Sequence, residues 1–417
     1  MEVKPGYKQT EVGVIPEEWD VGELNNVTTQ IADGLHGTPV YSPNGNYFFI
    51  NGNNLSDGKI VVTNETQSVE KAEFIKHKKP LGDRSILMSI NGTIGNLALF
   101  NDEPVVLGKS VAFLNVSPQV SKCFIYHTLQ TQKVRDQFFG GLTGSTIGNL
   151  GLATIRRTKI PIPPSEAEQR AIATALSEVD GLLGGLDRLI AKKRGLKQAA
   201  MQQLLTGRVR LASFDSEWGV KILGELGSTF GGLTGKTKAD FGEGSANYVT
   251  FMNVMTNVVI DCGTFERVKV APTESQNPVM KGDLLFNGSS ETPEEVAMCA
   301  VLMEDVPNLF LNSFCFGFRF REGAEVDGLF LAYYLRSKEG RELMKSLAQG
   351  STRYNLSKVA LLKSPLRLPS FPEQSAIAEV LTEMDAELAA LEQRREKTRA
   401  LNQAMMQELL TGRTRLV

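Results

Sequence analysis

The side chains most able to do chemistry sit in a few glycine-rich segments. Gly231-Gly232-Leu233-Thr234-Gly235-Lys236-Thr237 has the composition of a phosphate-cradling loop. Its spacing is wrong, because the leading glycine such a loop needs falls on Phe230. Gly140-Gly141-Leu142-Thr143-Gly144 is a similar run without a lysine. No Gly-x-Gly-x-x-Gly is evident, nor an Asp/Asn-Pro-Pro-Tyr/Phe segment of the kind adenine methyltransferases carry. His36, His77 and His127 are the only histidines, and Cys123, Cys262, Cys299 and Cys315 show no Cys-x-x-Cys spacing. Zinc is therefore not expected, and the cysteines read as buried, reduced thiols. No His–Cys or His–Ser pair is suggested by local context.

What remains is polar loop chemistry suited to recognition. Gly34-Leu35-His36-Gly37-Thr38-Pro39 and Asn51-Gly52-Asn53-Asn54 place amides and hydroxyls on turns, offering His36, Thr38, Asn51, Asn53 and Asn54. Asparagine can pair bidentately with adenine, and arginine or lysine with guanine. Gly144-Ser145-Thr146 and Gly350-Ser351-Thr352-Arg353-Tyr354 could set N–H groups and hydroxyls against phosphates. Gly288-Ser289-Ser290-Glu291-Thr292 ends a predicted strand, where Glu291 could accept from a cytosine amino group. Thr93, Lys109 and Lys236 complete the candidate set. Each residue also has a plainer role, since Asn-Gly is commonly just a turn.

The elements that must hold these loops are built twice. Leu204-Leu205-Thr206-Gly207-Arg208-Val209-Arg210-Leu211 recurs as Leu409-Leu410-Thr411-Gly412-Arg413-Thr414-Arg415-Leu416, about 205 residues later. Gln169, Ile172 and Asp180 match Gln374, Ile377 and Asp385 at the same shift. Upstream the repeat weakens to anchors, among them the two tryptophans, Trp19 and Trp218. Four blocks follow: 1–164, globular with an extended lead-in; 165–211, a long helix; 212–369, globular; and 370–417, a second long helix. Divergence concentrates in the globular blocks, as expected of one scaffold holding two different readers.

Within the globular blocks, short apolar runs alternate with Gly, Asn and Pro clusters, which marks strands with tight turns. Tyr47–Ile50, Ser85–Met88 and the stretch Val105 to Val116 are predicted strand-rich, with one helix over Cys123–Phe138 and its counterpart over Leu329–Leu347. Ser165-x-x-Glu168 and Ser370-x-x-Glu373 read as capping boxes opening the long helices. Ile172, Leu176, Val179, Leu183, Leu186 and Ile190 form a heptad stripe, repeated by Ile377, Leu381, Met384, Leu388 and Leu391. Each helix would run about 60 Å and seek the other as partner. Gly181, Gly184, Gly185 and Gly195 stand where the second helix has alanines, so the first is expected to be softer. The expected fold is α+β: two globular domains, each followed by a long helix, with the helices packed as an antiparallel coiled coil under an internal pseudo-two-fold.

Apolar content of 41% and charged content of 22% are those of a globular protein. No apolar run approaches a membrane span and no signal peptide is read, so a cytoplasmic location is expected. The net charge of −2 does not advertise a nucleic-acid binder. If DNA is the ligand, positive charge must be focused on one face or supplied by partners.

Taken together, the chain resembles the specificity subunit of type I restriction-modification systems. The marks are Lys8-Gln9-Thr10-Glu11-Val12-Gly13-Val14-Ile15-Pro16 before Trp19, Ile160-Pro161-Ile162-Pro163-Pro164 before Gln169-Arg170-Ala171-Ile172, and the terminal Leu-Leu-Thr-Gly-Arg of both halves. Gly34 to Pro39 and Ser290-Glu291-Thr292-Pro293-Glu294-Glu295 also look like segments of its recognition domains. The resemblance spans the whole chain. It implies that 1–164 and 212–369 are target recognition domains, each reading one half of a split sequence in double-stranded DNA. It implies that the coiled coil sets the gap, and that the chain is not catalytic and needs no cofactor. The implied partners are two methyltransferase (modification) subunits, which carry S-adenosylmethionine and methylate adenine, and motor-nuclease (restriction) subunits that give ATP-dependent cleavage. The specificity chain of a related system with fused methylase-nuclease partners is an alternative. Two other classes compete: a nucleotide-driven enzyme built on the 231–237 loop, testable by titration with ATP, and a scaffold whose globular ends bind proteins.

Overall fold

The computed structural model describes residues 4–143 and 148–416. The chain divides into two compact units, residues 1–187 with 393–417, and residues 188–392. Each unit therefore holds one globular block and a stretch of both long helices.

The two units share one sheet plan. In the first, a four-stranded antiparallel sheet runs Leu97–Leu99, Ser85–Ser89, Val111–Val116, Thr28–Asp33. In the second the same order is Cys299–Val301, Leu284–Asn287, Cys315–Phe320, Gly227–Gly231. A three-stranded sheet accompanies each, with one parallel pair: Val105–Leu107 beside Tyr47–Ile50, and Leu309–Leu311 beside Phe241–Val249. The run Val105 to Val116 is thus two strands in two sheets. The chain turns at Gly108-Lys109-Ser110, where the Val111 N–H donates to the Gly108 carbonyl at 3.0 Å. Asn312-Ser313-Phe314 makes the same turn, with Cys315 N–H on the Asn312 carbonyl at 3.0 Å.

Each expected single helix is a pair. Lys122–Leu129 is followed by Gln132–Gly140, and Gly328–Arg336 by Lys338–Ser346. A hydroxyl residue in extended conformation interrupts each pair. Thr131 donates to the Thr128 carbonyl at 2.8 Å, and Ser337 caps Gly340 N–H at 3.2 Å. Hydroxyls at such positions satisfy helix-end N–H and C=O groups and so restart helices. The lead-in is also more ordered than expected: Tyr7–Thr10 and Gly13–Pro16 form a hairpin.

The long helices span Glu166–Leu204 and Phe371–Leu409. Their contacts run in opposite senses within each unit. In the first, Asp180 accepts from Asn402 at 2.8 Å and Asp187 lies 3.4 Å from Arg395. In the second, Lys193 pairs with Glu387 at 2.6 Å and Lys197 with Asp385. The stripe is divided in its use. Ile172 and Leu176 enter the globular core of the first unit, as Ile377 and Leu381 do in the second, rather than forming only a seam between helices.

Each core is closed by a repeated tail. Leu409 and Leu410 pack with Trp19 and Ile172, while Leu204 and Leu205 pack with Trp218 and Ile377. Gly412 and Gly207 both have φ +69°, and a Cβ there would meet the indoles of Trp19 and Trp218 at 3.1 and 3.2 Å. Glycine meets both demands, for backbone conformation and for space. The glutamates of the expected capping boxes serve elsewhere. Glu168 and Glu373 are 0% exposed, and each carboxylate receives an arginine fork, from Arg415 and Arg210 respectively. Arg415 also lies over Trp19 and Arg210 over Trp218, both at 5.9 Å.

Candidate functional site

Where the sheets hand over the chain, both units build a rim of neighbouring turns. In the first unit, Ile90 N–H donates to the Ser110 carbonyl and Leu150 N–H to the Ile90 carbonyl, at 2.9 and 2.8 Å. In the second, Gly288 N–H donates to the Phe314 carbonyl and Leu356 N–H to the Gly288 carbonyl, at 2.8 and 3.1 Å. These two links bring the sheet-crossing turn, the end of a central strand and a short hairpin side by side. The hairpins are Leu142–Thr143 with Asn149–Leu150, and Ala348–Gln349 with Tyr354–Leu356.

The first rim gathers most of its unit's candidates. Ser110 donates to Asn51 Oδ1 at 2.9 Å and accepts from Gly52 N–H at 3.0 Å, which ties the Asn51–Asn54 turn to the Lys109 turn. Leu35 N–H donates to the Leu107 carbonyl at 2.7 Å, bringing the His36 loop alongside. His36, Thr38, Asn53, Thr93 and Lys109 are exposed. Asn51 and Asn54 are engaged internally: Asn54 Oδ1 accepts from Asn51 N–H at 2.9 Å, and its amide nitrogen donates to the Val61 carbonyl at 3.0 Å. His36 lies 2.7 Å from Asp33. Ser145 and Thr146 lie outside the described residues.

The second rim is tighter. Ser289 and Ser290 pair in a strand with Asn355 and Tyr354. Arg353 donates to Ser289 Oγ at 3.3 Å, and its guanidinium lies 5.7 Å from the Phe314 ring centre. Phe314 is 61% exposed, an open aromatic face that sequence reasoning missed. The available signal was its position, an apolar residue in a turn between strands where the first unit has Ser110. Glu291, Thr292, Ser351 and Thr352 are exposed on the adjoining turns.

Lys236 corrects its expectation. Its side chain is 4% exposed, pairs with Glu274 at 2.5 Å and donates to the Lys269 carbonyl at 2.5 Å. The same contact, with a backbone N–H from Ala271, holds the Glu274 carboxyl down at about 2. The 231–237 loop opens onto only a short 3-10 turn, Lys238–Asp240, so it lacks the helix N-terminus that a phosphate cradle uses.

One constellation has the residue types of a nucleophile triad. His127 Nε2 lies 3.1 Å from Ser177 Oγ, and His127 Nδ1 3.8 Å from Asp180. Its repeat counterpart makes the same join without a histidine. Tyr333 donates to Asp385 at 2.7 Å and lies 3.4 Å from Thr382, making the same bridge with a phenol. Both join a globular block to a long helix. Burial depresses the His127 pKa, with Asp180 acting in the opposite direction, so the neutral imidazole is favoured. No group of His, Cys, Asp and Glu able to hold a metal ion is present among the described residues, and no helix there is long and apolar enough to cross a membrane.

Comparison with known proteins bears on the duplication. The model of the type I restriction modification DNA specificity domain matches twice, over residues 16–190 and 215–399. A Methanocaldococcus jannaschii protein, named provisionally as the MjaX specificity subunit of a type I restriction enzyme, is 26% identical, covering 98% of this chain and 97% of its own. The type I restriction enzyme MjaVIII specificity subunit of the same organism is 22% identical, covering 96% of this chain and 94% of its own. The solved S subunit of a type I restriction-modification system from M. genitalium shares the fold, with a TM-score of 0.59 at 19% identity and 98% of both chains covered. The chain belongs to the family of type I restriction-modification specificity subunits, and carries its DNA specificity domain in two copies.

Proposed function

We propose that each unit reads one half of a bipartite DNA site, and that the two rims are the reading surfaces. The observation that carries this is the duplication itself. One backbone frame is built twice, and the side chains it displays differ: Lys109 and Ser110 on one rim, Ser313 and Phe314 on the other, while Ser289 is buried beneath Arg353 and is not displayed. A shared frame with exchanged tips suits two different base sequences. Lys109 and Arg353 would supply charge or guanine contacts, and Phe314 an apolar surface for a thymine methyl. The chain itself would direct chemistry carried out elsewhere. Two modification subunits would bring adenine methylation, and restriction subunits ATP-dependent cleavage. The long helices would act as the ruler that sets the gap between half-sites, since an α-helix advances a fixed 1.5 Å per residue.

The test is made on the complete methyltransferase with cognate DNA. Arg353→Ala should weaken specific binding by about 1–3 kcal/mol if the guanidinium meets a base, and should relax discrimination in one half-site only. Equal affinity and unchanged discrimination would remove Arg353 from the reading surface.

A further inference from the structure

In the second unit a groove of about 1030 Å3 opens between the two long helices, the loop following Thr256 and the start of the helix Lys338–Ser346. Five cations and two carboxylates line it. Both carboxylates are already taken, Asp385 by Lys197 and Glu392 by Arg194. Arg336, Lys338 and Arg341 have no carboxylate partner among the described residues. Arg336 donates to the carbonyls of Cys299 at 2.5 Å, Val254 at 2.6 Å and Met255 at 3.1 Å. Arg341 donates to those of Glu294 at 2.9 Å and Ala297 at 3.0 Å. Carbonyls satisfy N–H groups but cancel no charge, so two largely buried guanidiniums leave their charge beside the groove. Burial lowers the Arg336 pKa to about 10, with neighbouring Arg341 adding to the effect.

The first unit supplies an internal control. Its helices Lys122–Leu129 and Gln132–Gly140 correspond to Gly328–Arg336 and Lys338–Ser346 at a constant shift, the third of these running one residue further than its counterpart. Gln130 and Gln132 stand where the second unit has Arg336 and Lys338, and Asn402 where it has Lys197. Arg341 has a counterpart in Arg135, so it belongs to the shared frame; Arg336 and Lys338 do not, and holding the fold does not explain those two cations.

We propose that this groove binds a small organic polyphosphate, an anion of the nucleotide class, anchored electrostatically by Lys338, Arg336 and Arg341. The start of the helix Lys338–Ser346 adds its positive dipole end. Met201, Val258, Val259 and Leu388 give the groove an apolar wall for the organic body. Its volume suits a small ligand, and a DNA duplex is too wide to enter it. This site is separate from the reading rims and from the 231–237 loop.

The test is isothermal titration of ATP into the full chain, with inorganic tripolyphosphate as competitor. One ATP should bind per chain, and tripolyphosphate should displace it. Lys338→Gln installs the first unit's residue at an exposed position, and should weaken binding at least tenfold. Lys236→Ala should leave it unchanged. The proposal is overturned by absence of binding, by equal affinity in Lys338→Gln, by loss in Lys236→Ala, by indifference to tripolyphosphate, or by displacement with a duplex lacking the recognition sequence.

Discussion

The two units answer the same structural questions with different residues. Where a short helix must meet a long one, the first uses His127 with Ser177 and Asp180, and the second Tyr333 with Thr382 and Asp385. Where the chain crosses between sheets, the first shows Lys109-Ser110 and the second Ser313-Phe314. Other positions do not vary. Gln169 and Gln374 each accept from the N–H of the residue that opens a globular helix, Ser121 and Asp327, at 3.0 and 2.9 Å. Each also donates to the carbonyl of a lead-in proline, Pro163 or Pro369, at 2.9 Å. Glu168 with Arg415 and Glu373 with Arg210 are another such pair. The invariant glutamines and glutamates are buried where a long helix meets a globular block or a tail, whereas the variable positions are either exposed or able to bridge with either of two chemistries. Duplication has kept the frame and released the rim.

The sharpest way to break this equivalence is to remove one closing arginine. Arg415→Ala leaves the buried Glu168 carboxylate unpaired, which should cost about 3–5 kcal/mol, and Arg210→Ala should do the same to Glu373. Each unit has its own reporter, because the only tryptophans are Trp19 and Trp218, one under each arginine. In urea titrations of Trp218→Phe and Trp19→Phe backgrounds, Arg415→Ala should shift the Trp19 transition far more than the Trp218 transition. Equal shifts in both would deny that the units close independently.

The helices differ more mildly. Beyond the helix's own backbone, no atom lies within 4 Å of where a Cβ would sit on Gly181, Gly185 or Gly195. Substituting all three with alanine, as in the second helix, should stabilise the protein by about 2–3 kcal/mol, read from its denaturation midpoint. A stabilised variant whose complex with modification subunits still methylates at the wild-type rate would show that the softness is not used. Loss of activity alongside the gain in stability would assign it a purpose.

A smaller effect separates the bridges by pH. The folded-state pKa of His127 is depressed by burial, so protonation favours the unfolded chain. Stability is retained above the ordinary histidine value and lost as pH falls through that value toward the folded one. The phenol of Tyr333 is shifted upward by burial and does not titrate in this range. Acidification from pH 7 to 5 should therefore loosen the first unit before the second in hydrogen-exchange measurements. His127→Tyr should remove the difference, and its persistence would place the acid-sensitive group elsewhere.

Much of the frame was legible in the sequence because its signals are local and repeated. The long helices carry their periodicity over many turns, and the Leu-Leu-Thr-Gly-Arg tails repeat almost without change. What was misread depends on distant partners. Glu168 three residues after Ser165 reads as a cap, yet its partner, Arg415, lies 247 residues away. Their shared shift of 205 residues was the available clue. Lys236 reads as a free cation until Glu274 is placed beside it. Val105 to Val116 reads as one strand-rich stretch because nothing local marks the passage from one sheet to the other. Of the rim, the polar turn residues were visible from composition, while Phe314 was not, since an apolar residue next to strands reads as core.

The claim that most needs a direct test is that one frame carries two independent readers. Residues 20–160 should be exchanged for the equivalent block of a homologue, and the genome-wide adenine methylation of a host carrying the chimaera and its partner subunits sequenced. The account predicts a motif in which one half-site changes while the other half and the gap are kept. A motif changed in both halves, or in neither, from an active chimaera would contradict it.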